Sequence, residues 1–444
     1  MPEDSRPEPS LLYRWIVLLS ASLAMFGNYY VYDCIAPIAD LLSKQLGFSD
    51  SNIGLLQAIY SFPNIVMVLV GGYIVDRIGT RKSIFIFGAL CLIGAAVTVA
   101  SPMLAVMATG RLIFGLGAES LIVAVTTAIA KWFRGKELSF AFGINLTVSR
   151  LGSLMAQNSP TWARSAYSNW RTPLLISVAF CTFCVTGALI YWVMEAYAEK
   201  RYNLGKGSTD KVVFSDVKDF GLSYWYIVAL CIVFYSAIFP FETFAYKLFM
   251  DVHHTTREVG GTLVGMLTLF AMFGTPLFGL FVDKVGKRAL LMMFGSVLLI
   301  PVYLMMAYLP SVHQVTLRIP FYGTWDLPLL LLVTMAMMGV AFSLIPAVMW
   351  PSVAYIVDQS KLGTAYGLMT MIQNIGLFGF NLLVGWANDY SHASLENPAG
   401  YRLGMWIFSV LGFLGVLFSL LLRQRETGPH GHGLETITTR TAPA

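Results

Sequence analysis

Charge is what this sequence has least of. Lysine, arginine, aspartate and glutamate make up 12% of its 444 residues, against roughly 25% in a soluble domain. Hydrophobic residues make up 57%, and the mean hydropathy is +0.68. That deficit places the chain in a membrane. The net charge of +5 is spread along short segments, which excludes a nucleic-acid surface built on one basic patch. Cysteine is also sparse. Cys34, Cys91, Cys181, Cys184 and Cys231 all lie in apolar stretches. Cys181-Thr-Phe-Cys184 has redox or zinc spacing but lacks a second ligand pair, so it reads as small side chains in helix packing. No metal or cofactor is implied. None of the six histidines, His253, His254, His313, His392, His430 and His432, falls at the centre of an apolar stretch, which excludes a histidine proton relay. There is no nucleophile–base set, so no enzyme is expected. No short apolar core precedes a small-residue cleavage site, so no cleavable signal peptide is expected.

What is there is long apolar segments. Twelve are long enough to cross a bilayer at about 20 residues each: 13–40, 52–75, 83–101, 103–130, 137–158, 173–194, 222–249, 259–281, 289–310, 328–356, 363–387 and 403–423. Basic residues cluster in alternate connections, those holding Arg77, Arg81, Lys82, Lys131, Lys200, Lys284 and Arg288 among others. The positive-inside rule then puts both termini in the cytoplasm. The expected fold is an all-α membrane protein of two six-helix bundles, 1–194 and 222–423. A linker, 195–221, joins them, and the Gly- and His-containing tail, 424–444, reads as disordered.

The two halves repeat. Gly72-Tyr-Ile-Val-Asp76-Arg77-Ile-Gly79-Thr-Arg81 and Gly279-Leu-Phe-Val-Asp283-Lys284-Val-Gly286-Lys287-Arg288 share a Gly-x-x-x-Asp-basic-x-Gly pattern. Gly115, Gly143 and Gly152 likewise match Gly339, Gly367 and Gly376 at one later offset. The difference between the two offsets falls most simply in the connection at 311–327. Six helices duplicated into twelve is a transporter plan with its site between the halves. In the loops, Gly72 and Gly279 are expected to let helices approach, and Gly79 and Gly286 to permit a tight turn. Asp76 and Asp283 are expected to pair with a nearby Arg or a helix N-terminus and to gate the inner side.

Charges inside the spans are costly, about 2.5–3.5 kcal/mol each on insertion scales, and so need partners or a function. Asn28-Tyr29-Tyr30-Val31-Tyr32-Asp33 lies in the first span, and Arg111 and Glu119 lie in the fourth. Asp33 and Arg111 either lock those two spans together, or Asp33 meets a ligand or titrates during gating, and a carboxylate relay through Asp33 or Glu119 stays open. Glu119 and Arg150 either form a resting salt bridge or hold the two ends of a zwitterion. Arginine suits a carboxylate because its planar fork donates two parallel bonds. The tyrosines offer rings and hydroxyls to a ligand, or simply pack. In the second half the matching positions are neutral: Ser343 for Glu119 and Asn374 for Arg150. Gln373, Tyr235, Trp350 and Asn381 join them. Pro240 is expected to kink the seventh span, and Trp350-Pro351 to break the tenth. Glu242 and Lys247 read as a gate or surface pair. The charged set disfavours an organic-anion carrier, the alternative reading, which would want excess positive charge.

Several local runs sharpen this. Tyr60-Ser-Phe-Pro-Asn64, Arg111-x-x-x-Gly-x-Gly-x-Glu119-Ser120, Trp132-Phe-Arg-Gly-Lys-Glu-Leu138, Asp216-Val-Lys-Asp-Phe220, Phe239-Pro-Phe241, Trp350-Pro-x-Val-Ala354 and Leu362-Gly-Thr-Ala-Tyr-Gly367 with Ile372-Gln-Asn374 resemble the lysosomal dipeptide transporter branch of the major facilitator superfamily. The resemblance implies facilitated movement of dipeptides, with Glu119 and Arg150 at charged positions of that branch. Tyr29, Tyr30, Tyr60, Tyr235, Trp350, Gln373 and Asn374 complete the expected substrate set. Asp33, Arg111, Gly72, Asp76, Arg77, Gly79, Arg81, Asp283, Lys284, Gly286 and Arg288 form the expected gating and structural set. The first 12 residues hold no acidic dileucine sorting signal, and the loops are small. The expectation is therefore a bacterial-type cell membrane and a monomer without an obligate accessory subunit.

Overall fold

The computed structural model describes residues 7–133, 137–202, 204, 213–319 and 323–438. Its long helices are α1 (Leu11–Asp33), α2 (Asp50–Ile78), α3 (Thr80–Ala100), α4 (Leu104–Trp132), α5 (Leu138–Gln157), α6 (Arg171–Arg201), α7 (Leu222–His253), α8 (Arg257–Val285), α9 (Arg288–Tyr308), α10 (Leu329–Ile356), α11 (Leu362–Tyr390) and α12 (Tyr401–Glu426). Among the described residues, eleven candidate spans have the length and hydropathy to cross a membrane, and α5 is not among them. It carries Asn145, Thr147, Ser149, Arg150 and Ser153, which lower its hydropathy. Apolar side chains cover the outside. On α8, Phe273, Leu277 and Leu280 are each more than 60% exposed, an arrangement that hydrocarbon tolerates and water does not.

The chain divides into two compact units. One comprises Met1–Ile35, Ile59–Ala156 and Ser165–Lys211; the other comprises Ala36–Ala58, Gln157–Arg164 and Val212–Ala444. In the first, α3 packs on α4 and α6, and α1 packs on α6. In the second, α9 packs on α10 and α12, and α7 packs on α12. The second pattern is the first advanced by six helices, so the sequence repeat is also a packing repeat. The division does not follow chain order, however. Segments 36–58 and 157–164 belong with the later helices. Asp50 pairs with Lys247 and accepts from Asn388 Nδ2 at 2.9 Å. Arg257 grips Asp40 through two bonds, of 2.6 and 3.2 Å. The Tyr246 hydroxyl donates to the Gln157 carbonyl at 2.7 Å.

Several limits and breaks differ from those expected. Within the first candidate span, Leu11–Leu46, the helix ends at Asp33, and Ala36–Ile38 forms a 3-10 turn before a short helix, Ala39–Leu46. Pro37 has no N–H to donate to the Asp33 carbonyl four residues earlier, and the helix ends at Asp33. Pro240 lies within an unbroken α7, and Pro346 and Pro351 within an unbroken α10. Each removes one backbone donor, which surrounding packing tolerates in membrane helices. α6 continues to Arg201, seven residues into the expected linker, because Glu195 and Glu199 lie one turn apart and both reach Lys131, at 2.6 and 3.4 Å. Thr80 also donates to Glu195 at 2.9 Å. The expected linker also includes residues outside the described set, 203 and 205–212.

The 311–327 connection contains an antiparallel hairpin, β1 (Gln314–Ile319) and β2 (Gly323–Pro328), an addition to the all-α expectation. The tail also differs from expectation. Lys287 and Arg288 donate their backbone N–H groups to Glu435 and Leu434. Glu435 in turn accepts from the Ala289 N–H at 2.7 Å. These groups at the start of α9 have no intrahelical partners, so residues 427–438 act as its cap. Residues 439–444 lie outside the described set.

Candidate functional site

In the first unit the intramembrane charges come together through two close helix crossings. A Cβ on Gly115 would stand 2.4 Å from the Tyr60 carbonyl oxygen. Only glycine lets α2 lie that close to α4, and the crossing carries Tyr60 to Glu119, whose carboxylate accepts from the Tyr60 hydroxyl. A Cβ on Gly152 would stand 2.3 Å from the Phe26 carbonyl oxygen. That crossing holds α5 against α1. Ser153 donates to Asp33, and the Arg150 guanidinium lies within electrostatic reach of Asp33. The same guanidinium stands 5.8 Å from the centroid of the Tyr29 ring, a cation–π distance. The Tyr29 hydroxyl lies in the field of Arg150, Glu119 and Asp33 together.

Arg111 takes a different role from a simple partner of Asp33. It is 1% exposed and donates to the Val31 carbonyl at 2.9 Å and the Tyr32 carbonyl at 3.3 Å. Those carbonyls belong to the last turn of α1, which has no intrahelical donors left for them. Its guanidinium also faces the Phe114 and Tyr60 rings, 5.3 and 5.6 Å from their centroids. Asp33 is near enough to feel its charge. Tyr30 is buried, with its ring stacked on Phe180 at 4.3 Å.

The second unit gathers the neutral set. Trp350 Nε1 donates to the Tyr235 hydroxyl at 2.9 Å. Trp350 also packs on the Tyr366 ring at 5.9 Å, and the Tyr366 hydroxyl donates to the Trp350 carbonyl at 3.2 Å. Tyr235 stacks on Phe239 at 5.8 Å. Asn374 donates to its own helix, at the Thr370 carbonyl, and Gln373 lies 3.8 Å from the Cys231 sulfur. Ser343 donates to the Gly339 carbonyl, and Asn381 accepts from Thr243 at 2.9 Å. Tyr366 was within reach of the sequence reading as part of the Leu362–Gly367 run, but nothing in that run says that it stacks on Trp350.

The loop residues sort unevenly. Gly79 and Gly286 have φ of +84° and +68°, the backbone that their expected turns require. Gly279 has nothing within 4 Å of an added Cβ, so it is not a close-approach position. The nearby tight contact is at Gly274, against Ser343. Asp283 meets Arg288 of its own loop at 3.3 Å. Arg288 also donates to the Ile437 carbonyl at 2.6 Å and lies over the Tyr355 ring at 4.6 Å. Arg81 pairs with Glu199 at 3.2 Å and stands over the Trp192 ring. Arg77 donates to the Tyr73 hydroxyl at 3.4 Å. Asp76 is exposed, as are Gly79 and Lys284, whereas Gly72 is buried. Lys247 pairs with Asp50 rather than with Glu242. Asp50 escaped the sequence reading because an acid in a helix's first turn reads as a dipole partner.

Long apolar helices in two repeated bundles, with a cluster of charged side chains inside one of them, define an integral multi-pass membrane transporter. The Major Facilitator Superfamily model matches residues 21–323 and 243–441, and the chain belongs to that family. It is 31% identical over 389 residues to the lysosomal dipeptide transporter MFSD1 of Danio rerio, covering 84% of this chain and 80% of that one. The Homo sapiens protein of the same name is 30% identical over 397 residues, covering 86% and 82%. Among solved structures, a bacterial homologue of the human lysosomal transporter Spinster superposes with a TM-score of 0.72 at 19% identity, covering 94% of this chain and 98% of that chain. That likeness concerns the fold.

Proposed function

We propose that the chain moves small zwitterionic peptides, dipeptides foremost, by alternating access and without a coupled ion. One observation carries the reading. An acid and a base, Glu119 and Arg150, share one tyrosine-lined cluster in the first unit. A dipeptide has an ammonium and a carboxylate at its two ends. Glu119 would take the ammonium, and Arg150 the carboxylate through its two-pronged fork. The neutral groups of the second unit, Tyr235, Trp350, Gln373 and Asn374, would meet the peptide backbone, with Asp76 and Asp283 in gating loops. The names of the relatives support the substrate class. The distribution of basic residues supports cytoplasmic termini, and the small loops support a cell-membrane monomer.

The test is uptake and binding in proteoliposomes. Glu119→Gln is expected to abolish dipeptide uptake while leaving the thermal unfolding midpoint within a few degrees of wild type. Arg150→Ala is expected to remove the preference for free over C-terminally amidated dipeptides. Undiminished uptake by Glu119→Gln would refute the assignment.

A further inference from the structure

The end of the second unit at which α7 begins and α12 finishes is tied together by the chain that follows α12. Glu426, the last residue of α12, is 5% exposed. Its carboxylate accepts from the Ser223 hydroxyl of α7 at 2.6 Å, from the His432 N–H at 2.8 Å and from the Leu434 N–H at 3.4 Å. The chain is thereby folded back, and Leu434 is fully buried. Glu435 reaches the start of α9, where its carboxylate and carbonyl accept from the Ala289 and Lys287 N–H groups at 2.7 and 3.1 Å. The Ile437 carbonyl takes one arm of Arg288 at 2.6 Å, and the other arm holds Asp283 at 3.3 Å. Residues 427–438 therefore strap the segment from Asp283 to Arg288 to α7 and α12.

In the packing repeat, α3 and α6 of the first unit correspond to α9 and α12 of the second. Acids on α6 itself hold the start of α3: Glu195 accepts from Thr80 at 2.9 Å, and Glu199 pairs with Arg81 at 3.2 Å. Both acids lie inside the helix Arg171–Arg201, so that tie belongs to a rigid element. In the second unit the helix ends at Glu426, and the acid that meets α9 sits on non-helical chain. A segment held by one buried side chain and a few hydrogen bonds opens at a far lower free energy than packed helices do. The same connection is fixed in one unit and detachable in the other. A contact made in one conformational state and broken in another biases the equilibrium towards the first. We propose that residues 427–438 are a releasable autoinhibitory strap: seated, they hold Arg288 and through it Asp283, and so keep that loop from its gating role; released, they free the loop and transport runs faster. This rests on the gating part of the reading above and adds a control to it.

The experiment measures initial rates of dialanine uptake by the full-length chain in proteoliposomes. Leu434→Asp puts a charge into the seat of a buried side chain, and Glu435→Ala removes the carboxylate from the start of α9. Each is expected to raise the maximal rate at least about threefold while KM changes by less than about twofold. A strap that merely caps α9 would lower the thermal unfolding midpoint without raising the rate, and that result overturns the inference. Should both variants fail to fold, nitroxide labels on Lys284→Cys and Thr436→Cys decide, both positions being exposed and the native cysteines buried. A second, longer label distance is expected to appear when dialanine is added; one unchanged distance with and without it overturns the inference. Asp283→Asn separates the two readings. If it leaves uptake unchanged, the gating reading falls and this inference falls with it. If it slows uptake while the strap variants do not speed it, only the inference falls. If wild type takes up no dialanine, the peptide reading falls and the inference with it.

Discussion

Replacing Arg111 tests how α1 and α4 are held together. Its guanidinium is buried and makes two hydrogen bonds to the terminal carbonyls of α1, at 2.9 and 3.3 Å, between the Tyr60 and Phe114 rings. A hydrogen bond to a charged group contributes about 1.5–3 kcal/mol. Removing both and leaving Asp33 with one guanidinium fewer is expected to cost about 3–5 kcal/mol, the range for stripping one partner from a buried charged network. Arg111→Leu keeps most of the apolar contact and loses both bonds. Arg111→Lys keeps the charge, but an ammonium cannot reproduce the planar fork, so about one bond, roughly 1.5–3 kcal/mol, should be lost. The assay is equilibrium unfolding in mixed micelles with increasing SDS, followed by far-ultraviolet circular dichroism, with midpoint and slope both fitted. The expected order of stability is wild type, then Lys, then Leu. A Leu variant as stable as wild type would refute the cap. A Lys variant as unstable as Leu would show that fork geometry alone matters and that charge contributes nothing.

Two further outcomes follow from the packing. Gly152→Val should push α5 off α1, since even a Cβ there would stand 2.3 Å from the Phe26 carbonyl oxygen; the expected result is a loss of about 1–3 kcal/mol of stability together with weakened ligand binding, read by the same unfolding assay and by calorimetry. Lys247→Met should leave Asp50, which is 3% exposed, without its ammonium partner and cost about 3–5 kcal/mol. The double change Lys247→Met with Asp50→Leu should recover most of that loss, and a double mutant no better than the single would argue against the pair.

The amino-acid order alone determined the membrane class, the number of long helices and their duplication. These depend on local quantities: apolar run length against bilayer thickness, and the recurrence of one loop pattern. It also singled out Glu119, Arg150, Asp33 and Arg111, because a charge in an apolar run is conspicuous wherever it folds. The turns at Gly79 and Gly286 were legible for the same reason, since a positive φ is a property of one residue. Pairing was not legible. Chain order put Lys247 near Glu242, but the fold gave it Asp50, nearly two hundred positions earlier. Arg111 found backbone carbonyls, which no side-chain pattern announces. The close approaches fell at Gly115 and Gly152 rather than at Gly279, because a glycine's use depends on what passes over it. The tail residues 427–438 looked featureless until the start of α9 supplied unpaired N–H groups for Glu435 and Leu434 to answer. Burial cost is written into the sequence, but which partner meets it depends on helix crossings that only the assembled bundle fixes.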